Sequence, residues 1–211
     1  EILAPDTVKI YDEPNGLEEG GVFRKDLKLD NNIIFKPANA QQENAITAIQ
    51  DFTKNGDPSE IFILEGKAGT GKTTIVQEAI AEAVASGKRI QISALSHKAK
   101  LVLAQKLDKR FPKKTGSSSI AGLLGMTMNQ ETGEFEPGYG MERPIESADI
   151  IIVDEASMVN EEALQLIMQE KRKFAKVIFL GDRGQLPPIR KISSDEISLV
   201  FESENKASLT E

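Results

Sequence analysis

Three observations in the sequence predict an α/β fold, a parallel sheet with helices on both faces. Short all-apolar runs at 61–64, 150–153 and 177–180 have the length and composition of strands buried on both sides. Apolar residues elsewhere recur at helical spacing, as at Ile75, Val76, Ala79, Ile80, Ala83 and Val84. A glycine-rich turn joins the first run directly to that helix. Strands alternating with amphipathic helices bury their apolar surface by forming a parallel sheet covered on both faces.

Each element has its own signal. Residues 1–36 are broken by Pro5, Pro14, Gly16, Gly20 and Gly21, which predicts an irregular arm or a small β element. From Pro37 onward, residues 37–211 read as one domain. Asn39 followed by Gln42 resembles a capping box. Ala45, Ile46, Ile49 and Phe52 then continue a helix that Asn55-Gly56-Asp57-Pro58 stops. The strand 61–64 leads through the turn 66–71 into a helix closed by Gly87. Ile90, Ile92 and Ala94 alternate as a strand, and 97–110 reads as a second, basic helix. The run at 150–153 predicts a central strand. Asn160 can cap a helix reaching about Lys171, and 177–180 predicts a further buried strand. Between Thr115 and Ser147 the alternation fails. Asn129-Gln130-Glu131-Thr132-Gly133-Glu134-Phe135 has the composition of a hairpin turn, so a small β-hairpin insertion is expected at about 125–146. An insertion of this length in an otherwise economical domain is more often functional than idle.

Composition removes several chemistries. The chain has 211 residues, 39% apolar and 28% charged, enough to bury a core. With no cysteine, disulfides, thiol nucleophiles, iron–sulfur clusters and cysteine-ligated zinc are excluded, and His97 alone cannot build a histidine metal site. No apolar run approaches the roughly 18 residues a membrane span requires. The first residue is Glu1 and no signal-like segment follows, so the expectation is a cytoplasmic fragment of a longer protein, with no membrane partner. The net charge of −7 disfavours nucleic acid, but its distribution does not. Nine Lys and Arg lie between Ser86 and Gly116 against Asp108 alone. That block can be a phosphate footprint or a solvated helix face.

Gly66-Lys67-Ala68-Gly69-Thr70-Gly71-Lys72-Thr73 fits a phosphate-binding loop, placed as its mechanism demands between a strand and a helix. Glycines let successive backbone N–H groups converge on a phosphate, and the helix N-terminus adds a favourable dipole. On this pattern Gly66, Ala68, Gly69, Thr70, Gly71, Lys72, Thr73 and Thr74 are expected to contact the nucleotide. Lys72 serves as the cation at the β- and γ-phosphates, and the Thr73 hydroxyl as a ligand of Mg2+. Asp154-Glu155 follows the apolar strand 150–153, at the sheet edge where ligands bind in such folds. Asp154 can hold Mg2+ through water while Glu155 polarises the attacking water. Bound nucleoside triphosphate, and help in its hydrolysis, follow.

A family resemblance narrows this. Gly181-Asp182-Arg183-Gly184-Gln185-Leu186-Pro187-Pro188 resembles the third motif of superfamily 1 helicases, and Asp154-Glu155-Ala156-Ser157-Met158 the second. Over residues 37–211 the chain resembles the first RecA-like motor domain of the type B branch, the RecD- and Dda-like helicases, which move 5′→3′ on single-stranded DNA. The resemblance implies a RecA-like P-loop NTPase fold, ATP and Mg2+ as cofactors, and Gln185 as a catalytic sensor of the γ-phosphate beside Lys72 and Glu155. It also implies adenine recognition by Gln42, whose side chain could otherwise simply complete the Asn39 capping box. Ala94-Leu95-Ser96-His97-Lys98-Ala99 is similar to motif Ia, implying DNA contacts from Ser96, His97 and Lys98. Ser118-Ser119-Ile120-Ala121 is similar to motif Ib, which gives Ser119 a DNA contact, although Ala121 stands where the family has histidine. The predicted hairpin falls where the family carries a strand-separating pin. Phe135 is then either a wedge against the junction base or the hairpin's own packing residue. Leu209-Thr210-Glu211 resembles the stretch that in the family runs into a second RecA-like domain. That domain, with its arginines, is the implied partner, alongside single-stranded DNA and replication or recombination proteins. A PhoH-like nucleotide switch and the helicase part of a conjugative relaxase share several of these motifs and stand as alternatives.

Overall fold

The computed structural model describes residues 37, 39–94, 104–105, 111, 115–129, 131, 135–185 and 198–210, all within one compact unit. Its strands are β1 (Ile61–Gly66), β2 (Ile90–Ala94), β3 (Thr115–Ser119), β4 (Met126–Met128), β5 (Phe135–Pro137), β6 (Ile150–Asp154), β7 (Lys176–Gly181) and β8 (Lys206–Leu209). The helices are α1 (Ala40–Asn55), α2 (Lys72–Ala85), α3 (Ile120–Leu124) and α4 (Glu161–Glu170). Six strands form one sheet in the order β3-β2-β6-β7-β1-β8, every pairing parallel.

The burial of the strands explains why the central ones are so apolar. In β6 and β7 every residue from Ile150 to Val153 and from Lys176 to Gly181 is buried. Strand side chains alternate between faces. Ile63, Ile151, Val153, Val177 and Phe179 pack on one face against Ile120, Leu123 and Leu124 of α3, Ala163 and Ile167 of α4, and Val200 and Phe201. The intervening residues turn to the opposite face, where Phe62 meets Phe52 of α1 with ring centroids 5.5 Å apart. The predicted α/β fold with helices on both faces is therefore present. Lys176, buried at the start of β7, donates to the Gly56 carbonyl and lies 5.6 Å over the Phe52 ring, so its charge is met where the strand begins.

Local chemistry sets the element ends. Asn39 caps α1, its side chain accepting from the Gln42 N–H at 3.0 Å, and Asn160 caps α4 by accepting from Ala163 N–H at 2.8 Å. The predicted strands each run further than their apolar cores: β1 through Gly66, β6 through Asp154, and β7 from Lys176 to Gly181. Backbone ladders continue past the last apolar side chain, which carries the functional residues to the sheet edge.

The expected break between Thr115 and Ser147 needs one correction. Thr115–Ser119 is not part of an insertion but edge strand β3, paired with β2 from Ile90↔Thr115 to Ala94↔Ser119. Its Thr-Gly-Ser-Ser-Ser sequence carries no apolar signal because an edge strand can be held by its ladder alone. The antiparallel hairpin itself is β4–β5, with Met126↔Pro137 and Met128↔Phe135 in register. Asn129 donates to Glu136 Oε1 at 2.8 Å across its turn. Of the predicted helix 97–110, only Ala104 and Gln105 are described, and both are helical. The segment 1–36 lies outside the described residues. No helix among the described residues is long and apolar enough to cross a membrane.

Candidate functional site

The site forms where three adjacent strands, β1, β7 and β6, end. A cavity of about 450 Å³ there is lined by Ala68, Gly69, Gly71, Lys72, Thr73, Thr74, Asp154, Glu155, Gly181, Asp182 and Gln185. Three stretches far apart in sequence thus converge because their strands are neighbours in the sheet.

The loop after β1 is built to present backbone N–H groups. Gly69 and Gly71 adopt φ of +88° and +86°, a region closed to most side chains. Gly71 sits at the N-cap of α2 without any side-chain cap, so the amide groups of the first turn face the cavity side unsatisfied by side chains. Thr70 is buried, and its hydroxyl donates to the Lys67 carbonyl at 2.9 Å, closing the loop on itself. Lys72 donates from Nζ to the carbonyls of Gly66 and of Lys67, the latter at 3.0 Å. Burial lowers its pKa, while Asp154 and Asp182 act in the opposite sense. A half-buried ammonium held on two carbonyls gains if anionic oxygens replace them, so the loop fits a phosphate group.

Asp154 and Glu155 sit at the end of β6. Burial raises the Asp154 pKa above the ordinary carboxylate range, with the neighbouring Glu155 charge adding to it; the Glu155 N–H, donating to Asp154 Oδ1 at 2.8 Å, and Lys72 oppose the rise. A carboxylate so disfavoured by its surroundings is suited to a cation. Among the described residues no cluster of three or more acidic or histidine side chains forms a closed metal cage. A site of one carboxylate and one threonine hydroxyl matches the way Mg2+ is held jointly by protein and phosphate. Glu155 has φ +59° and ψ +44°, and among the described residues it is the one non-glycine with positive φ. An L-residue there costs about 1–2 kcal/mol, and the strain turns the chain sharply beside the cavity.

The third component follows β7. Gly181 can only be glycine without displacement, since a Cβ there would lie 2.8 Å from Ala156 Cβ and 2.9 Å from Phe201 Cζ. Asp182 then closes its own turn, its carboxylate accepting from Gly184 N–H at 3.0 Å and its carbonyl from Gln185 N–H at 3.0 Å. That turn brings Gln185 to the cavity.

The residues expected from the sequence distribute as follows. Ala68, Gly69, Gly71, Lys72, Thr73, Thr74, Asp154, Glu155 and Gln185 line the one cavity; Gly66 and Thr70 support the loop from behind. Gln42 lies beside the loop, its Nε2 3.6 Å from where a Cβ on Gly71 would stand. Ser119 is at the end of β3, where its hydroxyl accepts from Gly122 N–H at 3.1 Å and caps α3. Phe135 is partly buried against the core. Ser96, His97 and Lys98 lie outside the described residues. Sequence reading passed over Asp182, which faces Lys72, and Gln41, whose Oε1 accepts from the Thr210 N–H at 3.1 Å and hydroxyl at 3.0 Å, tying the end of β8 to α1. It also passed over Arg183.

Residues 37–211 match the family described as "AAA domain". The RecBCD enzyme subunit RecD of Buchnera aphidicola subsp. Schizaphis graminum is 31% identical over 145 residues, covering 64% of this chain and 24% of that protein. A probable conjugal transfer protein TraA of Sinorhizobium fredii is 30% identical over 125 residues, covering 59% of this chain and 10% of that one. The chain therefore spans a quarter or less of these relatives' length. Among solved structures, the Pif1 helicase from Candida albicans superposes with a TM-score of 0.50 at 18% identity, over 84% of this chain and 40% of that one, a likeness of fold.

Proposed function

We propose, since this chain belongs to the AAA domain family and is a helicase-type motor domain similar to RecD, that it hydrolyses ATP to drive 5′→3′ translocation on single-stranded DNA. The observation that carries the reading is the convergence of the phosphate loop, the Asp154–Glu155 pair and Gln185 on one cavity at the ends of β1, β6 and β7.

The roles follow from that arrangement. Backbone N–H groups of the loop and the Lys72 ammonium hold the phosphates, and adenine recognition is assigned to Gln42, which lies beside Gly71. Mg2+, held by the Thr73 hydroxyl and by Asp154, would neutralise charge on the triphosphate. Glu155 orients a water and takes its proton, and Gln185 reports on the γ-phosphate. Among the described residues lining the cavity, Lys72 is the one cation. Family resemblance supplies the rest from the arginines of a second RecA-like domain, which would close over the site. DNA contacts are assigned to Ser96, His97, Lys98 and Ser119, with Phe135 at the hairpin as a further one. Replication or recombination proteins in the cytoplasm are the natural partners. The TraA similarity favours one second reading, the helicase part of a conjugative relaxase.

The test is ATP hydrolysis by the 211-residue chain with and without single-stranded DNA. Expected is slow turnover, lost in Lys72→Ala and raised by about 10³–10⁵ when a second RecA-like domain supplies its arginines. Turnover that survives Lys72→Ala would sink the assignment of the site. Fast turnover by the chain alone would sink the role of the second domain.

A further inference from the structure

Arg183 lies inside the Asp182–Gln185 turn, yet it is not among the residues lining the cavity. Its side chain runs the other way. Nη2 donates to the Phe201 carbonyl at 2.9 Å and to Glu65 Oε1 at 3.2 Å, and the guanidinium carbon stands 5.3 Å over the Phe201 ring. Glu65 is the residue before Gly66, the first glycine of the phosphate loop, and Phe201 is the ring that packs against Gly181.

We infer that Arg183 is a positioning residue, which fixes the Gln185 turn to the foot of the phosphate loop and so sets the spacing between γ-phosphate sensor and phosphate-binding lysine. This rests on the reading of the cavity as an ATP site. The turn is closed on itself by Asp182's own hydrogen bonds. It therefore needs an external anchor to have a fixed distance from Lys72. Gly181 gives one contact at its start, and Arg183 gives the other. A guanidinium suits all three tasks, lying over a ring while its N–H groups donate to a carbonyl and a carboxylate. A lysine ammonium can donate to more than one acceptor but lacks the planar fork of the guanidinium. With Nη2 donating to Glu65 and to the Phe201 carbonyl, Arg183 is directed to the foot of the phosphate loop and not into the cavity.

The effect of losing the anchor falls on geometry more than on ground-state binding. Misplacement of a catalytic group by about 1 Å can cost on the order of 10²-fold in rate. Arg183→Ala in the 211-residue chain should therefore lower kcat for ATP hydrolysis by roughly ten- to a hundredfold, with KM changed by less than about threefold. It should also narrow the ratio of dissociation constants for ADP and ATP, measured by displacing a fluorescent nucleotide, because Gln185 no longer meets the γ-phosphate. Arg183→Lys should restore part of both. Glu65→Gln should shift both in the same direction, and the double variant should be no worse than Arg183→Ala alone, the mark of a shared interaction. The inference is overturned if Arg183→Ala keeps the parent's kcat and nucleotide discrimination. It is equally overturned if both losses track a lowered melting temperature and Arg183→Lys restores neither. A parent chain that binds no nucleotide, or whose turnover survives Lys72→Ala, refutes the ATP site itself, which separates that failure from this one.

Discussion

Replacing Gly181 with alanine puts one methyl group into a tight contact at the end of β7. The backbone conformation tolerates any residue, so the whole effect is steric. The added Cβ would stand 2.8 Å from Ala156 Cβ and 2.9 Å from Phe201 Cζ, against an optimal carbon–carbon separation of about 3.5–4.0 Å. Neither neighbour can yield cheaply. Ala156 Cβ moves only with its backbone, and Phe201 is 1% exposed in the core. Overpacking of this kind costs about 1–3 kcal/mol, and for a domain of this size each kcal/mol lowers the melting temperature by roughly 2–4 °C. The expected fall is thus about 2–12 °C in a calorimetric or fluorescence melt. Whichever neighbour yields, the site suffers, since Ala156 follows Glu155 and Phe201 carries the Arg183 contact. Hydrolysis measured well below the melting point should therefore also decline. A melting temperature within about 1 °C of the parent would refute the steric argument and the claim that β7 and the Ala156 turn are in fixed contact.

Asp154→Asn should stabilise the nucleotide-free chain while ending hydrolysis. The folded state holds the Asp154 proton more tightly than the unfolded state, so ionisation costs stability as pH rises through the folded pKa. The asparagine variant, whose Oδ1 can still accept from Glu155 N–H, should melt higher at pH 7.5, with the gain fading towards pH 4; an equal gain at both would refute this. Ser93→Ala should be neutral or stabilising by up to about 1 kcal/mol, because the Ser93 hydroxyl is fully buried and has no hydrogen-bond partner among the described residues. A loss above about 1 kcal/mol in urea unfolding would mean the hydroxyl is satisfied. Lys98→Ala should weaken single-stranded DNA binding alike for all sequences and reduce the slope of log K against log salt by about 0.7. An unchanged slope would return Lys98 to a solvated face.

The parts of this molecule legible in its sequence are those where one physical demand dominates. β6 and β7 are buried on both faces and must be apolar throughout, so Ile150–Val153 and Val177–Leu180 announce themselves. The phosphate loop was legible because φ near +90° leaves glycine little competition at 69 and 71. The edge strands were not. Thr-Gly-Ser-Ser-Ser in β3 and Lys-Ala-Ser-Leu in β8 hold to the sheet through backbone bonds to β2 and β1, which leave no trace in side-chain pattern. Helix α3, only five residues between Ser119 and Gly125, is too short for periodicity to speak. The left-handed turn at Glu155 was hidden because glutamate does not advertise positive φ; the turn packs into place as a whole. Arg183 and Gln41 were invisible for another reason. Their partners, Glu65 and Thr210, lie 118 and 169 residues away in sequence, so only the folded chain brings them together.

The sheet order places the phosphate loop on β1, the Gln185 turn on the adjacent β7, and the carboxylates on β6 beyond it, so the turn stands between the other two. The strands carry these groups in strict register, Glu65 beside Gly181 and Val153 beside Phe179. Neighbouring strand ends are thus about 4.8 Å apart, and positions along each strand step by about 3.3 Å. The apolar interior works as a ruled scale on which the chemistry is marked. Swapping one branched aliphatic for another along β7 leaves the marks where they are. Adding or deleting a single residue in that strand would shift Gln185 by about one residue step and turn the side chains on one side of the change to the opposite face. Aliphatic identity in these strands can thus vary where volume is kept, whereas Gly181 and the length of the strand are fixed by what they position.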